Sequence, residues 1–173
     1  MPSLRRRVLR EKVMQVLYAT EISKEPLTLT LDHQLGDIHP KPNEIKFIKE
    51  LCQAVVQHEV ELDHLIKSKI QHWEFERLAL LDRIIMRMAL GELLYFPDIP
   101  PKVSLNEAIE LAKVYSTPNS GTFINGVLDA IRHELTEQGS IVKEGRGLFE
   151  TSAHDRDDED DDDVHSHGQP GDS

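Results

Sequence analysis

At 173 residues the chain is long enough for one ordinary domain, and a 39% hydrophobic content supplies a core without any uninterrupted apolar run of membrane-spanning length. Its net charge of −11 is concentrated at one end: residues 150–173 carry ten acids and one arginine, a net of −9, whereas residues 1–149 carry 19 basic and 21 acidic residues, a net of −2. Within that nearly neutral body, residues 1–12 hold Arg5, Arg6, Arg7, Arg10 and Lys12 against Glu11, a local charge of +4 suited to a polyanion.

Hydrophobic periodicity predicts a first helix over residues 4–22. Leu9, Val13, Val16, Leu17 and Thr20 share one side, and Arg7, Glu11, Gln15 and Tyr18 lie along another. On that second side a base can stack on Tyr18 while guanidinium groups meet phosphates; the same residues also fit a solvated helix end with a half-buried tyrosine. Arg10, Glu11 and Lys12 interrupt what would be the apolar stretch of a signal peptide, so a cytoplasmic protein is expected. Leu27 to Leu31 alternates like a strand but has no second strand to pair with, so residues 25–40 read as a connector with a short helix around Asp32. Residues 43–71 predict one long helix carrying Ile45, Ile48, Cys52, Val55, Leu62 and Ile66 on its stripe. The lone Cys52 reads as a buried thiol in a reducing compartment. His58-Glu59 begins like a zinc-protease signature, but Leu62 stands where the second histidine is required. After a junction at Trp73, Glu74 and Phe75, residues 78–96 are apolar on most sides, the mark of a central helix. Asp82, Arg83 and Arg87 occupy its narrow polar strip, as partner contacts or as an internal ion network.

Residues 100–135 read as two amphipathic helices around a polar corner. Ser104 and Glu107 have the spacing of a capping box, with Val103 and Ala108 placed as a hydrophobic staple. Ser116-Thr117-Pro118 ends one helix and begins the next, with Pro118 in its first turn. Asn119, Ser120, Thr122 and Asn125 then cluster about a helix N-terminus, as ordinary caps or as an edge facing an anion. Gly126 costs its helix about 1 kcal/mol relative to alanine, which points to a close backbone approach there. Beyond Leu135 the pattern fades, with residues 141–149 packing loosely, and the acid run after Thr151 has too little apolar surface to fold, so a disordered tail is expected. His154, His165 and His167 among those acids suit a solvating tail better than a metal site.

No phosphate-cradling glycine loop, nucleophile elbow, paired-cysteine site or carboxylate pair is present in the sequence. No catalytic residue, metal or cofactor is therefore expected, and the reading is a binding module rather than an enzyme.

Three stretches, RRRVLREKVMQVLYATEIS, LDRIIMRMALGELLYFPDIPPKVSLNEAIELAKVYS and FINGVLDAIRHEL, resemble the NusB transcription antitermination family in order and spacing. The resemblance implies an all-α fold of two small helical bundles packed together over residues 1–149, with residues 150–173 as the acidic tail outside it. It implies binding of single-stranded boxA RNA together with the ribosomal protein NusE, within an RNA polymerase elongation complex that carries other Nus factors on ribosomal RNA operons. The family's RNA-binding positions fall on Arg5, Arg6, Arg7, Arg10, Gln15, Tyr18, Asn119, Ser120 and Phe123. A partner surface is expected around Asp82, Arg83, Arg87 and Lys102, and a homodimer is left open. Asn119 stands where relatives commonly carry an acid, and Gly91 where they carry an aromatic, which would loosen packing or alter the partner face. An accessory module of an RNA-modification system is the alternative, since a related helical domain occurs fused to RNA cytosine methyltransferases; no methyl-donor domain is recognisable in this chain.

Overall fold

The computed structural model describes residues 5–148 except Trp73, so the expectations for the acidic tail and for Trp73 lie outside the described residues. Seven α-helices follow one another: α1 (Arg6–Ser23), α2 (Leu27–Leu35), α3 (Pro42–Gln57), α4 (Glu59–Lys67), α5 (Leu80–Tyr95), α6 (Pro101–Tyr115) and α7 (Ser120–Glu137). Single 3-10 turns stand at Phe75–Arg77 and Gly145–Leu148, and no strand occurs among the described residues. Helices α1, α2 and α3 pack together as one bundle, and α5, α6 and α7 as the other with α4 beside it. Helix α5 touches α1, α3, α4, α6 and α7. That position explains its composition: Ile84, Ile85, Met86, Met88, Leu90 and Leu93 are all fully or almost fully buried.

Several local expectations change. The alternating Leu27 to Leu31 stretch is the first part of α2, a full helix that buries Thr30 and Leu31 and leaves Leu29 exposed. With no strand available to satisfy its backbone, the segment closes its own hydrogen bonds. The long helix over residues 43–71 is two helices, broken at His58 (φ −110°, ψ 17°). Val55 and Leu62 are both buried and seven residues apart, so the apolar stripe runs through the break without signalling it. The His58 ring stacks on Tyr95 with centroids 4.1 Å apart.

Helix α6 starts at Pro101 rather than Ser104: the Pro100 carbonyl accepts from the Val103 and Ser104 amides at 3.1 and 3.3 Å. Ser104 and Glu107 therefore do not cap it, and Val103 is exposed instead of stapled. Pro118 lies before α7 rather than in its first turn. Residues 141–148 are fastened to the end of α5. The Glu144 amide donates to the Pro97 carbonyl at 2.9 Å, and Lys143 Nζ donates to the Phe96 and Glu92 carbonyls at 2.9 and 3.2 Å. Both carbonyls also accept from backbone amides, of Phe96 and Ile99, so the lysine adds a second donor and a positive charge at the C-terminus of α5.

Cys52 is fully buried, and burial alone pushes its thiol up to about 12. Gly91 is closed over by its neighbours: an added Cβ would meet Leu51 Cδ1 and Val55 Cγ2 at 3.5 Å each, ordinary contact distances. Gly91→Ala should accordingly raise the unfolding free energy by about 0.5–1 kcal/mol through helix propensity alone, read from urea denaturation. Gly91→Phe should destabilise by overpacking against Leu51 and Val55.

Candidate nucleic-acid interface

The arginine cluster at the start of α1 divides by helical position. Arg10 stands three, four and seven residues before Val13, Met14 and Leu17, all buried, so it belongs to the inward stripe. Its guanidinium is 4% exposed and forms a fork with Glu92 of α5, Nε to Oε2 at 2.8 Å and Nη2 to Oε1 at 2.6 Å. Burial works against the charged arginine, but the Glu92 hydrogen bonds and charge outweigh it and the Arg10 pKa rises. Ser104 Oγ donates to the same carboxylate at 3.2 Å. Arg10, expected on the RNA side, thus faces the core with its Nε and Nη2 donors on Glu92.

Arg5, Arg6 and Arg7 are exposed. Arg6 rests 4.1 Å above the Phe47 ring, a cation–π contact that orients it without neutralising it. Arg7 forms a fork with Glu107 of α6, both bonds at 3.0 Å, with 53% of the arginine side chain in solvent. Glu107, read from sequence as a cap, is therefore the carboxylate that holds Arg7.

Burial first, and then the nearby Glu11 carboxylate, push the Tyr115 hydroxyl pKa up. The Arg7–Glu107 fork thus joins α1 to α6 at this edge. Gln15 and Tyr18, one and two turns beyond Glu11, are exposed.

At the corner between α6 and α7 the organising group is Asp82, in the first turn of α5. Its buried carboxylate accepts from Ser116 Oγ at 2.6 Å and from Ser120 Oγ at 2.9 Å. Thr117 Oγ1 lies 2.8 Å from Ser120 Oγ and completes the cluster. Ser120, expected at the RNA edge, is buried and faces Asp82. Asn119 is exposed at the N-cap of α7 and makes no capping bond, Phe123 is half-buried against the core, and Thr122 and Asn125 are exposed. A groove of about 330 Å³ continues from the corner, lined by Lys69, Gln71, His72, Thr122, Phe123 and Gly126 among others. Among the described residues, nothing beyond the backbone of its own helix lies within 4 Å of where a Cβ would stand at Gly126. Lys69 was not legible as part of this groove, because only the fold brings the end of α4 against α7; it is ion-paired there with Glu134.

The four residues expected to meet a protein partner are placed differently from one another. Arg87 is buried and forked onto Asp63 at 2.6 and 2.9 Å, with Glu59 at 3.6 Å, so the internal ion network is the observed arrangement for it. Asp82 serves the corner. Arg83 is half-buried 5.4 Å from the Phe75 ring centroid, and Lys102 is exposed. No cluster of metal-ligating side chains occurs among the described residues, and no described helix is long and apolar enough to cross a membrane.

Two packed helical bundles with an arginine-bearing edge define a class of all-helical binding proteins. The chain belongs to the NusB family, whose model matches residues 7–133. It is 42% identical over 153 residues to the transcription antitermination protein NusB of Chloroherpeton thalassium, covering 86% of this chain and 71% of the relative. Identity to the protein of that name from Salinibacter ruber is 45% over 146 residues, covering 83% and 91%. Among solved structures, T. maritima NusB superposes with a TM-score of 0.73 at 34% identity, covering 77% of this chain and 94% of that one. The antitermination factor NusB in a complex of NusB and NusE with dsRNA superposes with a TM-score of 0.67 at 26% identity, covering 75% and 96%.

Removing one partner of a buried fork leaves the other charge stranded, which typically costs about 3–5 kcal/mol. Glu92→Ala should lower the unfolding free energy by about that much. The double variant Arg10→Met/Glu92→Leu should recover most of the loss, and urea denaturation of the three chains measures both.

Proposed function

We propose that this protein is a transcription antitermination factor that binds single-stranded boxA-type RNA together with the ribosomal protein NusE, in the cytoplasm, on elongating RNA polymerase with other Nus factors. The observation that carries the reading is the exposed edge of α1, where Arg7, Gln15 and Tyr18 share a side and Arg5 and Arg6 stand at its start, with Arg7 forked onto Glu107 of α6, the helix that leads into the corner of Asn119 and Phe123. A single-stranded RNA laid along that edge would meet guanidinium groups at one end and aromatic faces at the other. The mechanism is non-catalytic: arginines bind phosphate, and Tyr18 and Phe123 stack on bases.

Arg10 and Ser120 have no direct part in this proposal. They position the edge, Arg10 by fixing α1 on α5 and Ser120 by closing the corner on Asp82. Arg7 contributes less than Arg5 or Arg6, because RNA has to compete with Glu107 for it. Asn119 takes away a carboxylate charge that would repel a phosphate. For the ribosomal partner, Lys102 and the outer part of Arg83 are the available groups, since Asp82 and Arg87 are engaged within the fold.

Arg5→Ala/Arg6→Ala should weaken boxA RNA binding several-fold and make the slope of log affinity against log salt shallower by about 1.4, from about 0.7 per single-strand phosphate contact. Tyr18→Ala should cost about 1–3 kcal/mol of binding with little change of slope. Titration of labelled boxA RNA at several salt concentrations, with and without NusE, measures these effects. Unchanged affinity and slope in the arginine variant would overturn the assignment.

A further inference from the structure

The described chain stops beside its own cationic edge. The Lys143 and Glu144 bonds to residues 92, 96 and 97 hold the last segment against the end of α5, and Gly147 is packed so closely on the Pro97 carbonyl that any Cβ would collide with it. The following turn places Arg146 in a groove of about 550 Å³ whose lining is Arg6, Asp98, Ile99, Pro100 and Arg146. Two guanidinium groups thus face one carboxylate, and Arg5 precedes Arg6. Among the described residues none of Arg5, Arg6 and Arg146 is ion-paired with an acid.

Leaving from this place is the most acidic stretch of the chain: residues 150–173 hold ten acids and one arginine, and residues 157–163 are acidic without interruption. Asp155 comes seven residues after Leu148, within roughly 25 Å by covalent reach alone. Tethering makes an encounter with Arg5, Arg6 and Arg146 intramolecular, at an effective concentration of order millimolar for short linkers.

We propose that residues 150–173 dock on the Arg5, Arg6 and Arg146 surface as an internal polyanion and compete there with RNA. The competition rests on the RNA-binding reading above; the docking does not. Carboxylates take the positions that phosphates would take, so RNA has to displace the tail before it reaches the arginines. Both contacts are exposed and are screened by salt over a Debye length of about 10 Å at 0.1 M and about 3 Å at 1 M. Binding is then tuned by whatever else engages the acidic segment, a basic partner surface or a divalent cation, and that release raises the affinity for RNA without any change in the fold.

Two measurements on the full chain test this. The first places a nitroxide on Val164→Cys and reads amide line broadening; Cys52, buried and with its thiol protonated, takes no label. Broadening at Arg5 and Arg6 is expected in dilute salt, and should vanish at about 1 M salt or when residues 157–163 are changed to their amides. Equal broadening at Arg5 and Arg6 with the acidic and the amide tail would overturn the docking. The second compares single-stranded boxA RNA binding by the full chain and by a chain ending at Phe149. The shorter chain should bind several-fold more tightly in dilute salt, with the ratio falling toward one in concentrated salt. Equal affinity in dilute salt would overturn the competition. If neither chain binds RNA while the charge-dependent broadening persists, the RNA-binding reading fails and the docking stands.

Discussion

Inside the protein, the Glu92 carboxylate of α5 meets the Arg10 guanidinium of α1 at 2.6 and 2.8 Å and the Ser104 hydroxyl of α6 at 3.2 Å, while its backbone carbonyl accepts from Lys143. Three other parts of the chain converge on this one residue of α5. An arginine fork tolerates little rotation or slip, so the contact sets the register of α1 against α5 as apolar packing alone would not. The arginine-bearing half of the candidate interface follows from that register. Arg5, Arg6 and Arg7 lie one turn or so outward of Arg10, and the segment held by Lys143 brings Arg146 opposite Arg6. A desolvated ion pair is a weak source of net stability compared with an apolar pair, so its clearest effect here is on geometry.

A second buried acid does the same at the other end of α5. Asp82 accepts from Ser116 and Ser120 and so determines how α6 turns into α7. The two carboxylates sit near opposite ends of the helix that touches five others, and each draws in one half of the candidate interface. Its positioning groups are thereby buried, while Arg5, Arg6, Tyr18 and Asn119 are exposed and without a charged partner among the described residues. The distinction also separates roles that a motif runs together: within RRRVLR, three arginines face solvent and the fourth holds the helix in place.

Helices α1, α5, α6 and α7 were legible from apolar periodicity, as were the central place of α5, the burial of Cys52 and the polar edge shared by Arg7, Gln15 and Tyr18. Periodicity reports which side of a helix is covered, and for these elements a single side or the whole surface is covered. It failed where two structures share one pattern. The break at His58 keeps Val55 and Leu62 in phase, so one helix and two helices read alike. The Ser104 to Glu107 spacing suits a capping box, yet both side chains are taken by residues distant in the chain, Glu92 and Arg7. Arg10 was readable as inward from its offsets to Val13, Met14 and Leu17, but its neighbours in the sequence are arginines and a cluster draws a common role.

By itself, then, the sequence determined the helical class, the covered faces, the separation of a nearly neutral body from an acidic end, and family membership through the order of its motifs. These are local or additive properties, set by side-chain chemistry at fixed spacing. The tertiary structure alone decided which charges are spent inside and which remain at the surface. That choice depends on partners 82 residues apart for Arg10 and Glu92, and 100 apart for Arg7 and Glu107. A buried carboxylate or guanidinium needs a counter-charge or hydrogen-bond partners in place of water, and only the packed helices show where those partners stand.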